Sequence, residues 1–172
     1  MNPALLVPQL PGLRRYARAL TGDAWSADDL VQDTLERACA KWQLWAVGSD
    51  LRAWLFTLMH NLYMNERRGS RFAAAAVSIE DAEHELPAAA RPQDEAIDLD
   101  RCLQRLPEDQ RAVLLLVTLE DLSYEDAARV LGVPIGTVMS RLSRARARLR
   151  ELMDGAAPAA RPSGPPTLRR LK

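Results

Sequence analysis

Apolar residues recur every three or four positions along nearly all of this 172-residue chain, and strict alternation of apolar with polar residues is almost absent. A helix needs the first period and a half-buried strand the second, so the chain is predicted to be all-α. Leu10, Leu13, Tyr16, Ala17 and Leu20 form one stripe, closed by Thr21-Gly22. A second helix is expected from about Ser26 to Leu44, with Leu30, Val31, Leu35, Ala38 and Trp42 inward. Asp29, Gln32, Asp33, Glu36 and Arg37 occupy its other face. Ser49 can cap a third helix, with Asp50 favourable in the positive first turn. Leu51, Trp54, Leu55, Leu58 and Leu62 fall on one side of it, and three such faces can bury one small core.

The periodicity fails after Gly69. The stretch "GSRFAAAAVSIEDAEHELPAAARPQ" has two prolines and no consistent apolar face, which reads as a linker with room for a short helical piece. Between Arg71 and Asp100 two basic residues meet eight acids, a net of 2 − 8 = −6, although the whole chain is formally neutral. Helical spacing resumes with Ala96, Leu99, Leu103 and Leu106 and stops at Pro107; that proline suits a first helical turn, and Glu108 and Asp109 suit its positive end. The expected architecture is therefore two small helical domains, residues 1–69 and 94–154, joined by a flexible acidic linker over 70–93. The proline-rich tail, 155–172, is expected to be disordered.

Several function classes are excluded early. Cys39 and Cys102 are far apart and in no metal-binding or CxxC pattern, so neither a disulfide framework nor a zinc site is expected. His60 and His84 lie in different segments without obvious partners, and no nucleophile constellation or phosphate loop is present. Catalytic residues, metal ligands and cofactors are thus expected to be none. The opening "MNPALLVPQLPGLRRY" lacks a basic leader and a long apolar run, and no stretch reaches the roughly 18 apolar residues of a membrane helix, so a cytoplasmic protein is expected.

The informative stretch is "SYEDAARVLGVPIGTVMSRLSRARARLREL". Ser123 and Asp126 form an S-x-x-D helix start, Gly132 supplies a turn, and Pro134 restarts the chain: a helix-turn-helix. Five arginines then crowd between Arg141 and Arg150 with no acid among them. Like charges at helical spacing destabilise a helix, so a partner of opposite charge is implied. Val138, Leu142, Ala145 and Leu149 share the inward face. Ser140, Ser143, Arg144 and Ala147 share the outward one, flanked by Arg141 and Arg148. Small residues at the centre permit close approach to a major groove, Arg144 can reach base edges, and the flanking arginines can meet phosphates.

At this point a resemblance becomes specific. "LPEDQRAVLLLVTLEDLSYEDAARVLGVPIGTVMSRLSRARARLRE" resembles region four, the promoter-binding C-terminal domain of extracytoplasmic-function sigma factors. "ADDLVQDTLERACAKW" and "DLRAWLFTLMHNLYMNERR" resemble region two, the N-terminal domain of the same family. The resemblance spans roughly Leu10 to Met153 and implies a non-catalytic specificity subunit that binds core RNA polymerase, through its clamp helices and flap, directs it to promoters and helps to open the DNA. It implies that Asp29, Gln32, Asp33, Glu36 and Arg37 face the polymerase. It implies that the third helix reads the −10 element through a stripe of Thr57, His60, Asn61, Met64, Asn65 and Arg68. Asn61 matches a position that holds a flipped-out base, the loop from Trp45 to Asp50 matches the base pocket, and Trp45 itself is open to the site. It implies −35 contacts from Thr137, Met139, Ser140, Arg141, Ser143, Arg144 and Arg148. Met139 departs from the arginine common after "GTV"; it cannot bind phosphate but can contact a thymine methyl. An anti-sigma factor is a further implied partner.

Two rival readings stand beside this one. A stand-alone helix-turn-helix regulator explains Ser123 to Arg150 and leaves the N-terminal domain without a role. A helical adaptor that sequesters a partner through the acidic join explains neither the arginines nor the Asn61 stripe.

Overall fold

Several helices begin or end where a specific side chain or glycine satisfies the backbone. The computed structural model describes residues 3–45, 49–76 and 94–156. Two 3-10 turns, Pro3–Leu5 and Val7–Gln9, lead into α1 (Leu10–Thr21). Gly22, at φ 85°, ends α1 by donating its N–H to the Arg18 carbonyl at 2.9 Å. Asp23 then caps α2 (Ala24–Ala40), its Oδ1 accepting the Ser26 N–H at 2.8 Å. That bond holds the Asp23 carboxyl below the usual carboxylate range. Helix α2 therefore starts before Ser26, and it stops well before Leu44: Trp42–Leu44 is a separate 3-10 turn.

Helix α3 (Leu51–Ala76) corrects the expected cap. Its cap is Asp50 rather than Ser49, since Asp50 Oδ1 accepts the Ala53 N–H at 3.1 Å. It also continues past Gly69 into the expected linker, because the alanine run that follows has high helix propensity and no proline to stop it. Residues 77–93 and 157–172, the rest of the linker and most of the tail, lie outside the described residues. The second block comprises α4 (Asp94–Gln104), α5 (Glu108–Thr118), α6 (Tyr124–Leu131) and α7 (Ile135–Ala156), so α7 passes the expected boundary at 154. Pro107 precedes α5 instead of forming its first turn, with Glu108 and Asp109 as expected. Among the described residues there is no strand; the fold is all-α.

The inward stripes read from the sequence meet in one apolar core. Leu13, Tyr16, Ala17 and Leu20 of α1 pack with Leu30, Val31 and Ala38 of α2 and with Leu55, Phe56 and Met59 of α3. Tyr16 meets the edge of Phe56 with ring centroids 5.2 Å apart, and burial pushes the Tyr16 hydroxyl far up. The second block contributes Leu106, Ala112, Val113, Leu116, Val130, Val138 and Leu142 to the same cluster.

The two blocks are packed against each other, which the periodicity could not foresee. Glu120, between α5 and α6, is fully buried at their joint. Its carboxylate accepts Arg15 Nε and Nη2 of α1, both at 3.0 Å, and Arg52 Nη2 of α3 at 2.8 Å. The same Arg52 nitrogen also reaches the Glu120 carbonyl at 2.7 Å. Gly12 makes room for this approach: a Cβ there would lie 2.9 Å from Glu120 Oε2. Asp121, at φ 50°, takes the left-handed turn that leaves α5 beside it. Further along the joint, buried Arg111 donates to the Tyr63 hydroxyl at 2.9 Å, Gln104 Nε2 donates to the Ala19 carbonyl at 3.0 Å, and Arg67 pairs with Glu108 at 2.6 Å.

Removing either side of the Glu120 cluster has unequal consequences. The Arg15→Ala/Arg52→Ala double variant should lose about 3–5 kcal/mol of stability, because it strands a buried carboxylate. Glu120→Ala should lose less: the guanidinium side chains are already 53% and 36% exposed and relax into water. Urea denaturation followed by circular dichroism measures both, and a larger loss for Glu120→Ala would contradict this account of the joint.

Candidate nucleic-acid interface

Helix α6 begins with Ser123, whose Oγ accepts the Asp126 N–H at 3.0 Å and donates to the Asp126 carboxylate at 2.6 Å. It ends at Gly132 with φ 64°, and α7 restarts after Pro134, whose carbonyl accepts the Thr137 N–H at 2.9 Å. On α7, Val138, Leu142 and Ala145 are buried and Leu149 is half-buried, as their spacing required. Ser143, Arg144 and Arg148 are exposed, and so are Arg146 and Arg150, which the face analysis had passed over. Met139 is 48% exposed, and Thr137 and Ser140 are half-buried, the serine donating to the Thr137 carbonyl. Arg148 pairs with Glu151 at 3.2 Å, within reach of solvent. Arg141 differs from the others: it turns toward α5 and pairs with Asp109 at 3.1 Å.

The α3 stripe is partly accessible. Asn61, Asn65 and Arg68 are exposed, and Met64 and Thr57 are half-buried. The Thr57 hydroxyl is spent on the Ala53 carbonyl at 2.9 Å. His60 is buried, 9% exposed, with Nδ1 unpartnered. Burial first, then the nearby Arg141 and Arg68 cations, lower its pKa to about 4, so the imidazole is neutral near pH 7. Trp45 is half-buried, its ring 5.1 Å from that of Trp42, which in turn meets Trp54 at 6.3 Å. Residues 46–48 of the expected base-pocket loop lie outside the described residues.

Two cavities flank this stripe. One, of about 280 Å³, lies between α2 and α3 and is lined by Arg37, Lys41, Leu58, Asn61, Leu62 and Asn65. It places Arg37 beside the asparagines, and it adds Lys41, which sequence reasoning missed. The other, of about 240 Å³, is lined by His60, Asn61, Met64, Asn65 and Arg68 of α3 and by Asp109, Leu131, Val133 and Arg141 of the second block. The stripe on α3 and the turn of the helix-turn-helix therefore share one enclosure. On α2, Asp29, Gln32, Asp33 and Glu36 are all exposed, with Gln32 donating to Glu36 at 3.2 Å. Trp25, 85% exposed, heads the same stripe at the i, i+4, i+7, i+11 spacing of residues 25, 29, 32 and 36.

Among the described residues no group of His, Cys, Asp and Glu side chains can hold a metal ion, and no helix is long and apolar enough to cross a membrane. The arrangement offers exposed arginines on one long helix, amides and cations around a cleft on another, and an acidic face on a third. These are surfaces of three chemistries.

Known proteins resemble this chain in sequence and fold. A family model for the Sigma2 domain of PhyR matches residues 6–60, and one for Sigma-70, region 4, matches residues 96–149. The ECF RNA polymerase sigma factor EcfG of Rhodopseudomonas palustris is 40% identical over 159 residues, covering 88% of this chain and 85% of that one. The ECF RNA polymerase sigma factor SigL of Mycobacterium tuberculosis is 39% identical over 147 residues, 80% of each chain. The sigma factor RpoE of Bartonella quintana, solved in complex with the anti-sigma factor NepR, superposes with a TM-score of 0.71 at 40% identity, covering 88% of this chain and 96% of that one. With region-two and region-four matches in order and this identity across most of its length, the chain belongs to the extracytoplasmic-function sigma factors of RNA polymerase.

Proposed function

We propose that this sigma factor divides its work among three helices: α2 docks on core polymerase, α3 holds the −10 element and α7 reads the −35 element. The observation that carries the reading is the placement of the α7 arginines. Arg144, Arg146, Arg148 and Arg150 are exposed on a helix whose opposite side is locked into the core. Such a helix can enter a major groove without disturbing its own packing, with Arg144 toward base edges and the others toward phosphates. Arg148 must exchange Glu151 for phosphate, a small cost for an exposed pair. Domain limits of 1–69 and 94–154 go with this division, each block bringing one DNA-binding helix.

On α3, the cleft beside Asn61 and Asn65 suits an unpaired base. Leu58 and Leu62 give it an apolar wall, the amides offer donors and acceptors to a pairing edge, and Arg37 and Lys41 supply charge for the adjoining phosphate. Arg37 is better assigned to this cleft than to the polymerase face. On α2, Asp29, Gln32, Asp33 and Glu36 present acid and amide to a basic helical surface, and Trp25 adds a large apolar anchor of the kind that dominates interfaces. The clamp helices and flap are the core-polymerase contacts of this reading. The chain contributes no catalytic group, since base trapping needs binding energy and not bond chemistry, and it works in the cytoplasm. An anti-sigma factor similar to the NepR bound by the Bartonella protein is the regulatory partner.

Transcription with purified core polymerase tests the division. Arg144→Ala should weaken −35 recognition by roughly 5- to 150-fold, about 1–3 kcal/mol, and leave core binding intact. Asn61→Ala should reduce permanganate-detected promoter opening more than duplex binding. Loss of core binding by a folded Arg144→Ala protein, or equal loss of opening and duplex binding for Asn61→Ala, contradicts the assignment.

His60 makes the packing around the α3 stripe acid-sensitive. Its folded pKa, about 4, lies below the ordinary value of 6.5, so the unfolded chain binds the proton first. The stability due to the neutral imidazole is full above about pH 6.5 and declines as pH falls toward 4, by about 3 kcal/mol at most. The charged groups facing it are Arg68 on its own helix, Asp109 on α5 and Arg141 on α7. Denaturation midpoints at pH 7 and pH 4.5 should therefore differ less in His60→Asn than in the native chain; an unchanged difference would remove His60 as the cause.

A further inference from the structure

We propose that Ile135 and Met139 read thymine methyl groups, so that the C5-methyl of at least one thymine in the −35 element is a determinant of promoter choice. The inference rests on the reading of α7 given above. The first two turns of α7 carry an apolar pair: Ile135 is 37% exposed, and Met139, one turn later on the same side, 48%. The helix does not need either for its own packing, which buried Val138, Leu142 and Ala145 supply. Ile135, Met139, Ser143, Arg146 and Arg150 are all exposed and fall at i, i+4, i+8, i+11 and i+15. They make one row that changes from apolar, to small and polar, to cationic. A recognition helix enters the major groove by its N-terminal residues. That order sets the apolar pair against base edges and the arginines against the phosphates beyond.

Chemistry narrows what the pair can read. Ile135 has no polar side-chain atom and the Met139 thioether is only a weak acceptor, so neither answers the hydrogen-bonding groups of the groove. The apolar group that a base pair presents there is the C5-methyl of thymine. Gly136, between the two, is exposed, and a Cβ on it would have open space around it, so the duplex can approach bare backbone at this point. Arg141 lies on the other side of the helix, held by Asp109 at 3.1 Å, and does not overlay the pair. The two residues are complementary in stiffness. Branched Ile135 fixes one wall, and unbranched Met139 adapts its rotamer to the position of the methyl.

Deoxyuridine in place of thymidine deletes that methyl and nothing else. Holoenzyme made from the full chain and core polymerase first selects a promoter duplex from a pool randomised over the −35 element. Each thymine of the selected element, on either strand, is then replaced singly by deoxyuridine, and holoenzyme affinity is measured by fluorescence anisotropy. One or two positions should lose roughly fourfold, the worth of one buried methyl group. The Ile135→Ala/Met139→Ala double variant should bind the thymine and uridine duplexes equally and keep its affinity for core polymerase. Both side chains are exposed, so the substitutions spare the core, and circular dichroism verifies the helix content. A selected element without thymine, equal affinity for every uridine duplex, or a uridine penalty retained by the double variant overturns the proposal. Loss of core binding by the folded double variant also overturns it, by making the pair a polymerase contact. Scrambling the whole element separates the two levels of the reading. Affinity indifferent to scrambling refutes −35 recognition by α7 itself, whereas loss on scrambling without a uridine penalty refutes only the methyl contact.

Discussion

A carboxylate with no solvent exposure sits where the two helical blocks meet, and the rest of the structure is arranged around its demands. An ionised carboxylate cannot leave water without partners that return most of its lost hydration. Glu120 finds them in Arg15 and Arg52, and the surrounding backbone is shaped for the purpose. Gly12 lacks the Cβ that would collide with Oε2, Asp121 accepts a left-handed φ to turn the chain, and α5 ends with backbone bonds to the Leu115 and Leu116 carbonyls. Helices from both ends of the sequence are thereby held at one point, and their apolar stripes merge into a single core.

How much of this was legible follows from the range of each interaction. Caps and stripes are local, so Ser123, Gly132 and the Val138–Leu142–Ala145 face were readable from spacing alone. The extension of α3 to Ala76 was also readable in principle: alanine propensity outweighs the missing apolar face when nothing interrupts the turns. Asp50 displaced Ser49 as cap because either residue type can fill that position, and only the backbone decides which oxygen meets the Ala53 N–H.

The joint was a different matter. Glu120 and Arg15 are 105 positions apart, and neither stands out in composition. Arg111 did leave a trace, as the charge directly before the apolar run "AVLLLV", but that trace identifies a cation without its partner Tyr63. The candidate surfaces were legible as residue types on helical faces. Their relative placement depends on how two bodies dock, and no periodicity carries that information. Lys41 and the relocation of Arg37 belong to the same class, since a cleft between helices is a property of packing.

Electrostatics connects the joint to the work of a sigma factor. The chain is formally neutral, yet α7 exposes a row of arginines and α2 a group of acids, so it carries two surfaces of opposite sign. The joint between the blocks combines two kinds of contact, an apolar core shared by the two and the buried Glu120 with its two arginines. The arginines that neutralise Glu120 are of the same chemistry as those that would neutralise a promoter backbone, but they are committed to a buried acid, whereas Arg144, Arg146 and Arg150 stand exposed.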